Sequence, residues 1–122
     1  MRGLVPVFKE QAVSLPQEAP VVHRQEDRLA YITDQKAKER ALSAITWLRE
    51  AWVGRAAVDP IKYAISLKVD NKVVAYINPR RKSFLISTYN ADDRWVPYAI
   101  HSDDDLELAK RLMHEYVERR AR

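Results

Sequence analysis

The sequence predicts a single small α+β domain: an antiparallel meander of three to four strands with two helices packed on one face, preceded by an extended N-terminal arm. Three observations predict it. Apolar residues recur at helical spacing over residues 34–53 and again after Ser102. Between those stretches, over residues 61–100, they tend to recur at every second position, the spacing of half-buried strands. The length of 122 residues, with 47% hydrophobic and 31% charged content, is that of one folded domain. The expected organisation is an arm over residues 1–28 and one domain over 29–122.

Three of the six prolines, Pro6, Pro16 and Pro20, lie in the arm. Each fixes its own φ and pushes its predecessor toward extended geometry, which disfavours helix before Val22. Leu4, Val5, Val7 and Phe8 are too apolar for a freely solvated tail. The arm is therefore read as laid against the domain or a partner, with a disordered leader as the equal alternative. Leu29-Ala30-Tyr31-Ile32 fits either a short strand or a helical turn, and the sequence does not choose between them.

The first helix is expected from Asp34 to Val53. Thr33 or Asp34 can cap it, and Ala37, Ala41, Ile45, Leu48 and Trp52 share one face. Gly54 follows, where a left-handed residue ends helices. Trp47 lies off that stripe and is either a contact residue or part of the core. The first strand is expected over Ile61–Val69, the second over Val73–Ile77 and the third over Ser83–Tyr89. Asp70-Asn71 makes a two-residue turn, since both residue types tolerate positive φ. The expected register sets Leu67 opposite Val74, Tyr76 opposite Phe84 and Val74 opposite Ile86. It places Ile65, Leu67, Val74, Tyr76, Phe84 and Ile86 on one apolar face, which both helices should cover. A fourth strand, Arg94–Ile100, should lie at an edge because Pro97 cannot donate a ladder hydrogen bond. Ser102-Asp103-Asp104-Asp105 caps the last helix, with Leu106, Ala109, Met113, Tyr116 and Val117 facing inward and Arg119, Arg120 and Arg122 at its negative end.

The formal net charge is +4, of which three charges fall in residues 61–122. That balance permits a nucleic-acid partner without requiring one. The absence of cysteine excludes disulfides, thiolate metal sites and cysteine nucleophiles. No apolar run approaches the roughly 20 residues that span a bilayer, and the patch up to Phe8 is too short for a signal-peptide core. A cytoplasmic protein with no membrane partner is the expectation.

Little in the chain points to catalysis. His23, His101 and His114 include no pair at helical metal-ligand spacing, and His114 with Glu118 is read as a surface ion pair. With only Gly3 and Gly54, no glycine-rich phosphate loop is present, and no serine has the setting of a nucleophile elbow. Asp103-Asp104-Asp105 is explained by helix capping. Asp34-Gln35-Lys36 and Asp70-Asn71-Lys72 have the residue types of a metal-dependent nuclease but sit at a helix start and a turn. No catalytic residue, metal site or cofactor is expected, and an enzyme is disfavoured.

The most informative cluster is Arg80-Arg81-Lys82, three cations at a hairpin tip and suited to phosphate contact. Lys68, Lys72 and Arg94 can add to it, and Tyr89, Trp95 or Tyr98 can offer a stacking plane. The alternative is a tip that is polar because it is solvated.

The stretch from Lys62-Tyr63-Ala64-Ile65-Ser66 through Val73-Val74-Ala75-Tyr76-Ile77-Asn78-Pro79-Arg80-Arg81-Lys82-Ser83-Phe84, followed by Ser102-Asp103-Asp104-Asp105-Leu106, resembles a prokaryotic domain-of-unknown-function family sometimes labelled "predicted transport protein". The likeness spans about residues 40–118. Domains of that family are often appended to nuclease or restriction-type modules. The resemblance implies an accessory module and carries over no catalytic residue. Here the stretch follows a proline-containing arm in place of a nuclease module. Two functions are therefore carried forward. One is a non-enzymatic accessory domain that binds DNA or RNA through its basic hairpin. The other is a protein-interaction module, a homodimer or small subunit, that uses the arm and the second sheet face.

Overall fold

Five strands, two long helices and one short helix make up residues 24–121, the part of the chain that the computed structural model describes. In chain order they are α1 (Gln25–Ala30), α2 (Gln35–Ala51), β1 (Ala56–Pro60), β2 (Ile65–Val69), β3 (Lys72–Pro79), β4 (Phe84–Tyr89), β5 (Trp95–Ile100) and α3 (Asp103–Arg120). All neighbouring strands are antiparallel, in the order β1-β2-β3-β4-β5. The α+β meander with an edge strand at Pro97 is as the sequence predicts, with one strand more. Residues 1–23, most of the predicted arm, lie outside the described residues. Gln25 to Arg28, read as the end of that arm, are helical instead.

Both long helices start at the predicted caps. Asp34 accepts a hydrogen bond from the Ala37 N–H at 3.0 Å, and Ser102 accepts from the Asp105 N–H at 3.1 Å. Such caps satisfy donors that the first helical turn leaves unpaired and contribute about 1 kcal/mol each. Asp105 in turn accepts from the His101 N–H at 2.8 Å, locking the entry to α3. After α2 the chain reverses through Gly54, whose φ of 76° suits glycine. The Arg55 and Ala56 N–H groups both donate to the Trp52 carbonyl.

The predicted first strand divides. Residues 61–64 form a turn closed by the Ile61 N–H donating to the Ala64 carbonyl at 2.9 Å, and β1 precedes it. Ile61 and Tyr63, which continued the apolar alternation, are exposed in that turn. The Asp70-Asn71 turn is as predicted, with φ of 53° and 68°.

The register is corrected at two places. Between β2 and β3 a bulge shifts the pairing, so that Lys68 faces Val73 but Leu67 faces Ala75. A bulge lets two successive residues point to one side, and Val74 and Ala75 are both fully buried. Between β3 and β4, Ile77 faces Ile86 and Pro79 faces Phe84, while Tyr76 faces Ser87. The strand continues through Asn78 and Pro79, and the tip is closed by the Arg80 N–H donating to the Ser83 carbonyl. This register buries Ile77 and Ile86 and turns Tyr76 to the opposite face from the one predicted.

The covered face, with Ile65, Leu67, Val69, Val74, Ala75, Ile77, Phe84, Ile86 and Ile100, forms one core with the inward stripes of α2 and α3. Complete burial of an aliphatic side chain of this kind contributes roughly 1.5–3 kcal/mol. Trp47 belongs to this packing and is not a free contact residue. It is half-buried, meets Trp52 edge to face at 5.4 Å and lies 6.0 Å beneath Lys110. His114 stacks on Trp52 at 5.8 Å.

Candidate nucleic-acid interface

In an antiparallel meander alternate connections emerge at the same end. The 61–64 turn and the 80–83 tip therefore share one end of the sheet, with the α1–α2 link beside them. That link is fastened to the tip through the Arg81 carbonyl, which accepts from the Thr33 N–H at 2.6 Å and the Thr33 hydroxyl at 2.8 Å. Arg28 of α1 donates to the Lys62 carbonyl at 2.6 Å, joining the helix to the 61–64 turn.

Between these pieces lies a cavity of about 440 Å³ lined by Asp27, Arg28, Tyr31, Tyr63, Pro79 and Arg80. Its aromatic walls are accessible, with Tyr31 52% and Tyr63 75% exposed. Each ring has a cation over it, Arg81 at 5.2 Å from Tyr31 and Lys62 at 5.3 Å from Tyr63. Such pairs orient the cationic group while leaving most of its donors for another ligand. Four basic side chains (Arg28, Lys62, Arg80 and Arg81) thus gather around two tyrosines at one end of the fold, with Lys82 exposed on the same tip. Asp27 is the carboxylate in the cavity wall.

The six predicted site residues do not form one patch. Arg80, Arg81 and Lys82 lie at the end just described. Tyr89 and Arg94 lie at the other, separated from them by the length of β4, roughly 20 Å. Tyr89 is packed between Trp95 at 4.9 Å and Tyr116 of α3 at 4.3 Å. Lys68 forms an ion pair with Asp59 at 2.8 Å across β1 and β2. Tyr98 packs against the core, which removes it as a stacking plane. Sequence reasoning missed Asp27, Arg28, Tyr31, Lys62 and Tyr63. A basic-aromatic pair just beyond Pro60-Ile61 was the available signal for the last two.

The second sheet face carries Lys68, Val73, Tyr76, Leu85, Ser87, Trp95, Pro97 and Ala99, with Trp95 meeting Tyr76 edge to face at 5.6 Å. At the far end, Arg119 and Arg120 flank Tyr116 beside a shallower hollow of about 320 Å³. Those cations are engaged, Arg119 with Asp93 at 2.8 Å and Arg120 with the Val69 carbonyl at 2.8 Å. Among the described residues no group of three carboxylate or imidazole side chains is placed to hold a metal, and no helix is long and apolar enough to cross a membrane.

No family model, curated protein or solved structure matches the chain.

Proposed function

We propose that this chain is a non-enzymatic accessory domain that binds single-stranded nucleic acid at the end formed by α1, the 61–64 turn and the 80–83 tip. The observation that carries this reading is the convergence of four cations on two exposed tyrosines of one cavity, Arg28 and Arg80 in its lining and Lys62 and Arg81 over the rings, with Lys82 at the adjoining tip. Cations supply phosphate contacts, and exposed rings supply stacking planes that only unpaired bases can reach. A cavity of about 440 Å³ is also within the range of small-ligand sites, which suits a base held apart from its strand. Fluorescence anisotropy with labelled single-stranded RNA, single-stranded DNA and a duplex tests it. Single strands should bind more tightly than the duplex, and Tyr63→Ala should weaken that binding about tenfold, as loss of one stacking plane does. Absence of binding at low salt ends the proposal.

The second sheet face favours one further reading, a protein-interaction module. Trp95 is 40% exposed there, beside Tyr76 and the apolar Val73, Leu85, Pro97 and Ala99. Light scattering distinguishes the two, since a monomer at all concentrations counts against self-association through that face. Whether the arm takes part is tested by the same measurement on a chain lacking residues 1–23.

A further inference from the structure

We infer that the cavity is selective for guanine, through the carboxylate of Asp27. This rests on the nucleic-acid reading of the same site and adds the identity of the base. The walls of the cavity divide by chemistry. Tyr31 and Tyr63 offer flat apolar surface, while Arg28 and Arg80 offer only donors. Asp27 is the one lining side chain that, when ionised, can only accept.

That asymmetry discriminates among bases. A base stacked against a tyrosine presents its pairing edge to the rim of the cavity, where unpaired bases are read by hydrogen bonding. Guanine carries two adjacent donors there, the ring N1–H and the exocyclic N2 amino group, which match the two oxygens of a carboxylate. Adenine and cytosine each offer one amino group beside a ring acceptor, so one carboxylate oxygen meets a lone pair. Uracil and thymine place their single N3–H between two carbonyl oxygens, which a carboxylate repels. The expected order is guanine first, adenine and cytosine next, and uracil or thymine last. Arg80, Arg81 and Lys82 remain for the flanking phosphates, and contribute affinity without base preference.

The test measures anisotropy with four oligouridine pentamers that differ only in the central base, G, A, C or U. The wild-type chain should bind the G pentamer about tenfold more tightly than the U pentamer, at the low end of what a two-point base contact gives. Asp27→Asn replaces one acceptor oxygen with a donor. It should abolish that preference while leaving the U pentamer bound as tightly or more tightly, because a repelling charge is gone. Asp27 is solvent-exposed, so the variant should fold, and circular dichroism checks that it does. Equal binding of the four pentamers by wild type overturns the selectivity and leaves the binding function standing. So does a preference that survives in Asp27→Asn. Failure of every pentamer to bind removes the function and the selectivity together.

Discussion

Replacing Arg80, Arg81 and Lys82 together by alanine should flatten the salt dependence of nucleic-acid binding, by an amount the structure sets. Arg28 is half-buried and donates to the Lys62 carbonyl at 2.6 Å, whereas Arg80 is exposed and gives one nitrogen to the Pro79 carbonyl at the longer distance of 3.3 Å. Lys62, Arg80, Arg81 and Lys82 are thus four exposed cations placed to meet phosphates at this end. For a single strand, log K falls with log salt at about 0.7 per phosphate neutralised, so four contacts give a slope of about −2.8. Affinity should then drop about 50-fold between about 50 and 200 mM salt. With only Lys62 left the slope should be about −0.7, and the same change of salt should cost about threefold. The fold should survive the substitutions. The contacts that seat the tip run through the Arg81 carbonyl and the Arg80 N–H, both of which alanine retains. Loss of the Arg81 contact with Tyr31 should cost about 0.5–1 kcal/mol. Lys68→Ala with Arg94→Ala is the control, since Lys68 is paired with Asp59 and Arg94 lies at the far end. Anisotropy titrations across salt read all three slopes. A wild-type slope shallower than about −1 would refute the reasoning. A triple variant with the wild-type slope, or a control that flattens it, would do the same.

Further outcomes concern the fold. Ile77→Ala should cost about 3 kcal/mol because Ile77 is fully buried against Ile86, whereas Tyr76→Ala, at a partly buried position on the other face, should cost about 1 kcal/mol. Urea denaturation compares them, and a larger loss at Tyr76 would restore the register with Tyr76 opposite Phe84. Ser66→Ala should raise stability by about 1 kcal/mol, since the buried Ser66 hydroxyl has no hydrogen-bond partner; a lower melting temperature would contradict this. The Asp70, Asp103 and Asp105 carboxyls are held below the usual carboxylate range. Hydrogen bonds from the Arg55 and Arg40 side chains and the His101 backbone N–H are the largest respective causes. Below about pH 4 the unfolded chain therefore binds more protons at these sites than the folded one. Their contribution to stability is present above that pH and is lost as pH falls through the folded values. Urea midpoints across acid pH should decline accordingly, and Asp105→Asn should shallow the decline; an unchanged acid profile would count against the capping role of Asp105.

Much of the fold was legible because its signals are local. Asp34 and Ser102 announce helix starts by side-chain chemistry, Asp70-Asn71 announces a turn by tolerance of positive φ, and Pro97 announces an edge by lacking a donor. The register was not legible. Val73-Val74-Ala75-Tyr76-Ile77 is apolar throughout, so a period of two cannot say which residue turns inward, and a bulge at Val74 leaves no mark in such a run. The β3–β4 pairing was misjudged because Asn78 and Pro79 are common turn residues, yet Pro79 is buried at the strand end. β1 was hidden for a related reason. Ile61 and Tyr63 extend the alternation of β2 backwards, although they are exposed in the turn before it.

The candidate site was only partly legible because the meander assembles it from three separate stretches. Arg80-Arg81-Lys82 stands out as a run, and charges and an aromatic ring on neighbouring strands, Lys68, Arg94 and Tyr89, look from the sequence like its extension. Adjacency at the end of a sheet follows a different rule. Tips separated by one hairpin emerge together, so the 80–83 tip meets the 61–64 turn and not the 90–94 turn. The Thr33 contacts with the Arg81 carbonyl add the α1–α2 link and bring Tyr31 beneath Arg81. Basic residues at one end thereby gain two accessible stacking planes and one carboxylate, while Arg119 and Arg120 at the other end are held by Asp93 and the Val69 carbonyl around the half-buried Tyr116. Two accessible tyrosines beside exposed cations, more than the number of cations, are why the end that carries Lys62 and Arg80 is the one expected to bind.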